Sequence, residues 1–191
     1  LFNNMGINYE FLGAFDEAIK AYLNSVAIEE ARGNLLGKYM TWINIGLVAM
    51  LYIDFPTALL YLIGAQNYFQ PTGDSSMLAL CYQNKGITFV RMEQKDSIAP
   101  NIDKAMQLYE AMNNKAGIFE LFYNVAMNYT VYRPDYPLAL QNIQQAEAIL
   151  PQLSPGLQDR YRPSLASLKG RYFMVTKAYQ QAKYWYNTIY D

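Results

Sequence analysis

Side chains that usually perform chemistry are scarce in this sequence. It contains no histidine and a single cysteine, Cys81. This composition excludes Ser-His-Asp and Cys-His nucleophiles, zinc sites with histidine ligands and an internal disulfide. Glu29 and Glu30 are adjacent carboxylates, but neighbours in sequence diverge by about 100° around a helix instead of facing one site. We therefore expect no enzyme activity, no metal and no cofactor, and we expect Cys81 to be a buried apolar residue.

The asparagine carboxamide recurs at a fixed interval of 40 residues, at Asn4, Asn44, Asn84 and Asn124. A carboxamide both donates and accepts hydrogen bonds, so it can bind a peptide backbone whatever the side chains of that peptide. Other residues share the interval: Gly6, Gly46, Gly86 and Ala126, and the aromatic residues Phe2, Trp42, Tyr82 and Phe122. The asparagines therefore belong to an internal repeat.

The stretch from Trp42 to Ala65 contains one unit of this repeat, a helical hairpin. Gly46 shares a helix face with Trp42 and allows a neighbouring helix to come close. Asp54 is a good N-cap and Pro56 is tolerated only in the first turn of a helix, so a second helix begins there.

Helix stop signals are followed by N-cap residues with the same period, at Gly33–Asn34, Gly73–Asp74 and Asn113–Asn114. They predict one array spanning residues 1–191, with repeats of about 1–33, 34–73, 74–113, 114–154 and 155–191. Pro151, Pro155 and Pro163 predict an irregular entry to the last repeat.

These residues resemble the tetratricopeptide repeat (TPR) signature, Trp-x2-Leu-Gly-x2-Tyr followed by Ala-x3-Phe, along the whole chain. Repeat one matches at Phe2, Gly6 and Tyr9, whereas Lys85 and Lys169 occupy positions where the family has Leu. The period of 40 is longer than the usual 34 residues of the family. The resemblance implies an all-α fold, a right-handed α-α superhelix (solenoid) of about five TPR-like helical hairpins.

The resemblance also implies a concave groove lined by the first helix of each hairpin. The position two before each glycine lies about 160° from it on an ideal helix, beyond the packed face. We therefore predict a peptide-binding groove formed by Asn4, Ile7, Ile43, Asn44, Leu47, Met50, Gln83, Asn84, Ile87, Arg91, Tyr123, Asn124 and Met127. The alternative is that the asparagines are structural and bridge adjacent repeats.

The predicted ligand is an extended or helical peptide with apolar side chains. A hydrogen bond contributes about 1 kcal/mol net, whereas a fully covered apolar side chain contributes about 1.5 to 3 kcal/mol. Some family members hold a carboxylate with basic residues on these helices. The corresponding positions here are Met40, Leu80 and Glu120, so that specificity is not expected.

Charge and hydropathy exclude other partners. The net charge is -1, the basic residues are scattered, and only 16% of residues are charged, against about 25% in an ordinary domain. We expect no nucleic-acid binding through this segment. The uncharged run Tyr39 to Ile53 is shorter than the roughly 18 to 20 residues of a membrane span, so we expect a soluble segment, cytoplasmic or periplasmic.

The two ends of the sequence suggest an excerpt of a longer protein. The chain begins at Leu1 inside a helix, and the last helix, about Tyr179 to Tyr190, leaves Tyr184 and Trp185 outside its inward-facing pattern. Unpacked aromatic residues at the end of an array usually indicate a missing neighbour. The alternative is self-association through Tyr184, Trp185 and Tyr190.

We expect a non-catalytic interaction module, a scaffold that binds a protein or peptide partner in the groove. The alternative function is that of a sensory or regulatory TPR segment in a larger bacterial signalling or transcription-regulatory protein. The period of 40 and the truncated ends favour this alternative mildly. An enzyme is the weakest hypothesis, because no catalytic site can be named.

Overall fold

A computed structural model describes residues 2–189, which form ten α-helices and no β-strand. The predicted start of the chain within a helix, at Leu1, and the predicted self-association residue Tyr190 lie outside this described range. The helices are α1 (Phe2–Phe11), α2 (Phe15–Ala31), α3 (Leu35–Leu51), α4 (Phe55–Thr72), α5 (Ser75–Met92), α6 (Lys95–Ala111), α7 (Lys115–Val131), α8 (Tyr136–Ile149), α9 (Pro155–Val175) and α10 (Tyr179–Asn187). Consecutive helices pack against each other in pairs, which confirms the prediction of an all-α helical repeat.

The predicted N-caps are confirmed in atomic detail. Each side chain accepts a hydrogen bond from the backbone N–H three residues later and so satisfies one of the unpaired donors of a helix start. The donor–acceptor distances are 3.1 Å for Asn34, 3.2 Å for Asp54, 3.1 Å for Asp74 and 2.9 Å for Asn114. Asp135 caps α8 in the same way, at 3.2 Å.

Left-handed residues end several helices. Gly33, Gly73 and Asn113 have φ angles of 68°, 74° and 51°, which confirms the predicted stop signals between hairpins. Inside the hairpins, Ile53 and Lys177 adopt the same conformation, both with φ of 64°. These two residue types carry no turn signal, so their conformation was not predictable from the sequence.

A glycine on the first helix of a hairpin faces a large side chain on the second. A Cβ atom placed on Gly46 would lie 2.7 Å from Cγ of Leu62 and 3.2 Å from the carbonyl oxygen of Ala58. Gly6 faces the ring of Tyr22 and Gly170 faces the ring of Tyr186 in the same way. The glycine therefore permits the close approach of two helices that its position in the repeat predicts.

The chain divides into two compact units within α5: the first unit ends at Thr88 and the second begins at Phe89. In the first unit, buried side chains of α2, α3 and α4 form the core, among them Tyr22, Val48 and Leu62. In the second unit, α7, α8 and α9 surround Phe119 and Ile143. None of the described helices has the length and apolar character needed to cross a membrane.

The entry to the last hairpin is irregular, as its prolines predict. A short 3-10 helix, Leu150–Gln152, contains Pro151, and α9 begins at Pro155 with its ring in the first turn. Pro163 differs from the expectation because it lies inside α9, which continues for a further three turns. Pro71 and Pro100 are likewise accommodated inside helices α4 and α6.

Candidate ligand-binding cleft

A cleft of about 260 Å³ lies within the first unit, on the surface made by the first helices of its hairpins. Helices α1, α3 and α5 line it together with the end of α2, through Asn3, Ser25, Glu29, Gly37, Met40, Thr41, Ile43, Asn44, Met77 and Leu80. Two of these, Ile43 and Asn44, belong to the predicted groove. Met40 and Leu80 are two of the three positions considered above for basic partners.

The carboxamide of Asn44 is used to join two neighbouring helices. Its Nδ2 donates to Oδ1 of Asn3, across a distance of 3.0 Å between α3 and α1. The structural alternative for the asparagines is therefore correct at Asn44, although its partner is Asn3 and not Asn4. Asn44 is only half-buried and still lines the cleft.

The wall of the cleft is mainly apolar. Met40 on α3 is 43% exposed, and Met77 and Leu80 on α5 are half-buried. Thr41 is buried, and its hydroxyl donates to the carbonyl oxygen of Gly37 at 2.9 Å, so it does not offer a free donor. Exposed thioether and aliphatic groups at the rim of a cleft suit the apolar side chain of a ligand.

Glu29 is the one ionisable side chain among these lining residues. Its Oε2 accepts a hydrogen bond of 2.6 Å from Nδ2 of Asn34, the residue that caps α3. A Cβ atom on Gly37 would lie 2.9 Å from that oxygen and 2.6 Å from the Asn34 amide nitrogen. The absence of a side chain at Gly37 therefore leaves room for the carboxylate.

The nearest lysine in sequence, Lys38, pairs with the neighbouring acid. Its Nζ lies 2.7 Å from Oε1 of Glu30 and about 5 Å from the ring centroids of Tyr39 and Trp42. The hydrogen bond to Glu30 raises the pKa of Lys38, with burial acting in the opposite direction. Glu29 itself forms no salt bridge with any described residue.

Six residues of the predicted groove are instead buried: Ile43, Met50, Gln83, Asn84, Ile87 and Arg91. Ile43 packs with Leu62 and Phe69. Ile87 and Met50 pack with one another in a second cluster. The prediction placed one packed face on each first helix, but such a helix contacts both its own hairpin partner and the preceding hairpin. The buried sector is wider than one face, so less surface remains for a ligand.

Arg91 was predicted to be a cation on the groove side, and the structure corrects this. It is 5% exposed, its guanidinium carbon lies 4.1 Å from the ring centroid of Tyr132, and burial lowers its pKa. Its carbonyl oxygen accepts a hydrogen bond of 2.6 Å from Nε of Arg133, which also forms a salt bridge with Glu93. Arg91 therefore stabilises the start of the α7–α8 turn.

The remaining predicted groove residues stay partly or fully accessible. Asn4 is exposed, and Ile7 and Leu47 are half-buried in the first unit beside its core clusters. In the second unit the half-buried residues are Tyr123, Asn124 and Met127. Burial raises the pKa of Tyr123, and the carbonyl oxygen of Asn124 accepts from Nδ2 of Asn128 at 2.8 Å.

Glu120, the third position considered for a basic partner, has a structural contact in the second unit. Its carboxylate accepts a hydrogen bond from the hydroxyl of Tyr161. Burial and this bond raise the pKa of Tyr161 to about 12. The ring of Tyr161 stacks on Phe119 at a centroid distance of 4.6 Å. Glu120 is therefore engaged between α7 and α9.

The aromatic residues of α10 are less available than the sequence predicted. The ammonium of Lys169 lies 3.5 Å from the ring centroid of Trp185 and 2.6 Å from Oε1 of Glu147. Trp185 is half-buried, whereas Tyr184 is 61% exposed. Tyr190, the third residue of the predicted patch, lies outside the described residues. Of the residues in the predicted patch that the structure describes, Tyr184 alone is largely exposed.

A second cleft, of about 560 Å³, lies within the second unit at the α5–α6 and α7–α8 turns. Its wall includes Val90 and Ile98, and its rim carries Glu93, Lys95 and Arg133. The salt bridge between Arg133 and Glu93, at 3.1 Å, closes part of that rim. None of the predicted groove residues lines this cleft.

Chemistry at the remaining ionisable groups is limited by their surroundings. Cys81 is fully buried, as predicted, and burial raises its pKa to about 12, so it is a thiol at neutral pH. Lys85 is half-buried, donates to Oε1 of Gln66 at 2.6 Å, and has its pKa lowered by burial. Within residues 2–189 no group of three or more His, Cys, Asp or Glu side chains could hold a metal ion.

Comparison of the chain with protein-family models and with curated proteins finds no match.

Proposed function

We propose that this chain is a TPR-like interaction module that binds an apolar peptide in the cleft between α1, α3 and α5. The observation that carries the proposal is the position of this cleft. It lies on the surface where the repeat pattern predicts a ligand, and the predicted residues Ile43 and Asn44 line it. The scarcity of chemically reactive side chains supports binding over catalysis.

The exposed apolar side chains give this cleft its binding energy. Covering Met40 and Leu80 removes apolar surface from water, at about 25 cal/mol per Å². Asn44 and Asn3 already bond to each other, so their amides contribute by offering the remaining lone pair and N–H to a peptide backbone. The cleft of about 260 Å³ is close to the lower limit of ordinary ligand sites, which suits one or two side chains of a peptide.

A matched pair of variants tests the site. Met40→Gln replaces an exposed apolar side chain in the cleft with a neutral polar one of similar size. Leu60→Gln makes a comparable change on α4, where Leu60 is 68% exposed and does not line the cleft. Peptides are selected from a random synthetic library against the parent chain, and their affinities for all three proteins are measured by fluorescence anisotropy.

We expect Met40→Gln to weaken binding by about fivefold to tenfold, because partial loss of apolar burial costs about 1 kcal/mol. Leu60→Gln should leave binding unchanged. Thermal denaturation checks that the three proteins are folded and equally stable. If no peptide is selected by the parent, or if both variants bind as the parent does, the proposed function is wrong.

A further inference from the structure

We propose that Glu29 makes this cleft selective for a peptide with a positive charge next to its apolar side chain. The cation is the side chain of Lys or Arg, or a free N-terminal ammonium group. The inference rests on the proposed function and specifies the ligand of that same cleft.

The first reason is that Glu29 interrupts the pattern of the repeat. The residues one and two repeats further along the chain are Phe69 and Tyr109. Phe69 is fully buried in the core of the first unit, and the ring of Tyr109 fills the space above Gly117 in the second. Both are apolar packing residues. A carboxylate at this position gives up that packing, and such departures from a local rule are expected at functional sites.

The second reason is that the surroundings hold the carboxylate in place. The amide of Asn34 bonds to Oε2 of Glu29, and the other end of the same amide caps α3 through the N–H of Gly37. Gly37 lies inside a helix, where glycine is less favourable than alanine, and a Cβ atom there would collide with both side chains. The helix start therefore leaves room for the carboxylate of Glu29 and gives it a hydrogen-bond donor.

The third reason is that the charge of Glu29 is not neutralised. The Asn34 amide is neutral, Lys38 pairs with Glu30, and the last turn of α2 contains no basic residue. All other side chains that line the cleft are uncharged. A neutral peptide that covers Glu29 would remove water from an unpaired carboxylate, which is costly, whereas a cationic peptide would supply the missing partner. The cleft therefore discriminates against neutral ligands.

The test uses the whole chain and synthetic bead-bound peptide libraries. One library has a fixed central lysine, and its partner has norleucine, which keeps the apolar chain and removes the charge. Each library is made with a free and with an acetylated N-terminus, so that a side-chain cation and a terminal ammonium are separated. The proteins are the parent, Glu29→Gln and Glu17→Gln.

Glu29→Gln keeps an oxygen that can accept from Asn34, so the fold is retained while the charge is lost. Glu17→Gln removes the same charge at an exposed position in the first turn of α2, outside the cleft, and so controls for net charge. We expect the parent to bind selected cationic peptides about threefold to tenfold more tightly than their neutral counterparts. Glu29→Gln should abolish this preference, and Glu17→Gln should retain it.

The outcomes separate this inference from the proposed function. Peptides that bind the parent equally well with and without a cation overturn the role of Glu29 and leave the groove function intact. A preference that persists in Glu29→Gln overturns it as well. Failure of every library to bind the parent contradicts the proposed function itself.

Discussion

At the scale of the residue, backbone strain is concentrated at a few turn positions. The backbone of Ile53 is left-handed, with φ of 64°, although the residue is β-branched. Its side chain is 67% exposed, so burial of apolar surface does not offset the strain. For a residue with a Cβ atom this conformation costs about 1 to 2 kcal/mol. The strain is local to the turn between α3 and α4.

Ile53→Gly should therefore raise the free energy of unfolding. Relief of strain exceeds the extra chain entropy of glycine, about 0.5 to 1 kcal/mol, and leaves a net gain of about 0.5 to 1 kcal/mol. Urea denaturation measures this difference. Ile53→Ala is the control, since it shortens the side chain and keeps the strained backbone. Equal stability of the Gly and Ala variants would show that the turn is not strained.

Residue types predicted the caps and the glycine turns but not the strained ones. Asn34 and Asn114 cap helices because their side chains reach the N–H three residues later, a purely local property. Ile53 and Lys177 are left-handed although nothing in their own chemistry indicates it. Glu29 could have been found by aligning the repeats, where it stands beside Phe69 and Tyr109.

At the scale of the element, the close contact between two helices at a hairpin glycine is the feature most sensitive to mutation. Gly46→Ala places a Cβ atom 2.7 Å from Leu62 and 3.2 Å from a backbone oxygen, which cannot move independently. Gly156, in the first turn of α9, has nothing within 4 Å of the same atom. Alanine substitutions at these two positions therefore separate the effect of packing on stability from the effect of helix propensity.

We expect Gly46→Ala to lower the free energy of unfolding by about 1 to 3 kcal/mol, since overpacking outweighs the better propensity of alanine. Gly156→Ala should raise it by about 0.5 kcal/mol. Thermal and urea denaturation followed by circular dichroism would give both values. Stabilisation by both substitutions would mean that α3 and α4 are not in close contact at Gly46.

At this scale, the repeat pattern was least successful in predicting which residues of a first helix are buried. The pattern gives the position of Gly46 and Trp42 relative to one hairpin partner. It does not give the contacts with the neighbouring hairpins, and Ile43 is buried among residues of its own partner helix α4 and of α5 in the next hairpin. Ideal helix angles consequently assigned several core residues to the ligand surface.

At the scale of the whole molecule, the charge is nearly independent of pH around neutrality. The chain has no histidine, the side chain whose ordinary pKa lies between pH 5 and 8. Above that range several buried groups matter, among them Cys81 and Tyr161. Burial raises the pKa of Cys81 from 9.0 to about 12 and that of Tyr161 from 10.0 to about 12.

Stability should therefore be flat between about pH 6 and 8 and fall above about pH 9. The unfolded chain loses the Cys81 proton near pH 9 while the folded chain keeps it, so the stability present below pH 9 is lost as the pH rises towards 12. Burial lowers the pKa of Lys85, so its contribution to the change of stability with pH has the opposite sign.

Cys81→Ala isolates the contribution of the thiol. Urea midpoints measured between pH 7 and pH 10.5 should decline less in this variant, by about 2 kcal/mol in the free energy of unfolding. The comparison uses the change with pH within each protein, so any constant cost of the small cavity cancels. An identical decline in both proteins would place the alkaline effect at other groups.

The glycine-to-large-residue contacts also bear on how the protein is made. Gly6 and Tyr22, Gly46 and Leu62, and Gly170 and Tyr186 are each close along the chain, so the loop that must close to bring them together is short. Short loops close with a small loss of entropy, and chains rich in such local contacts fold quickly. Each of these three hairpins can therefore acquire its central contact as soon as its second helix has left the ribosome, before the rest of the chain has been translated.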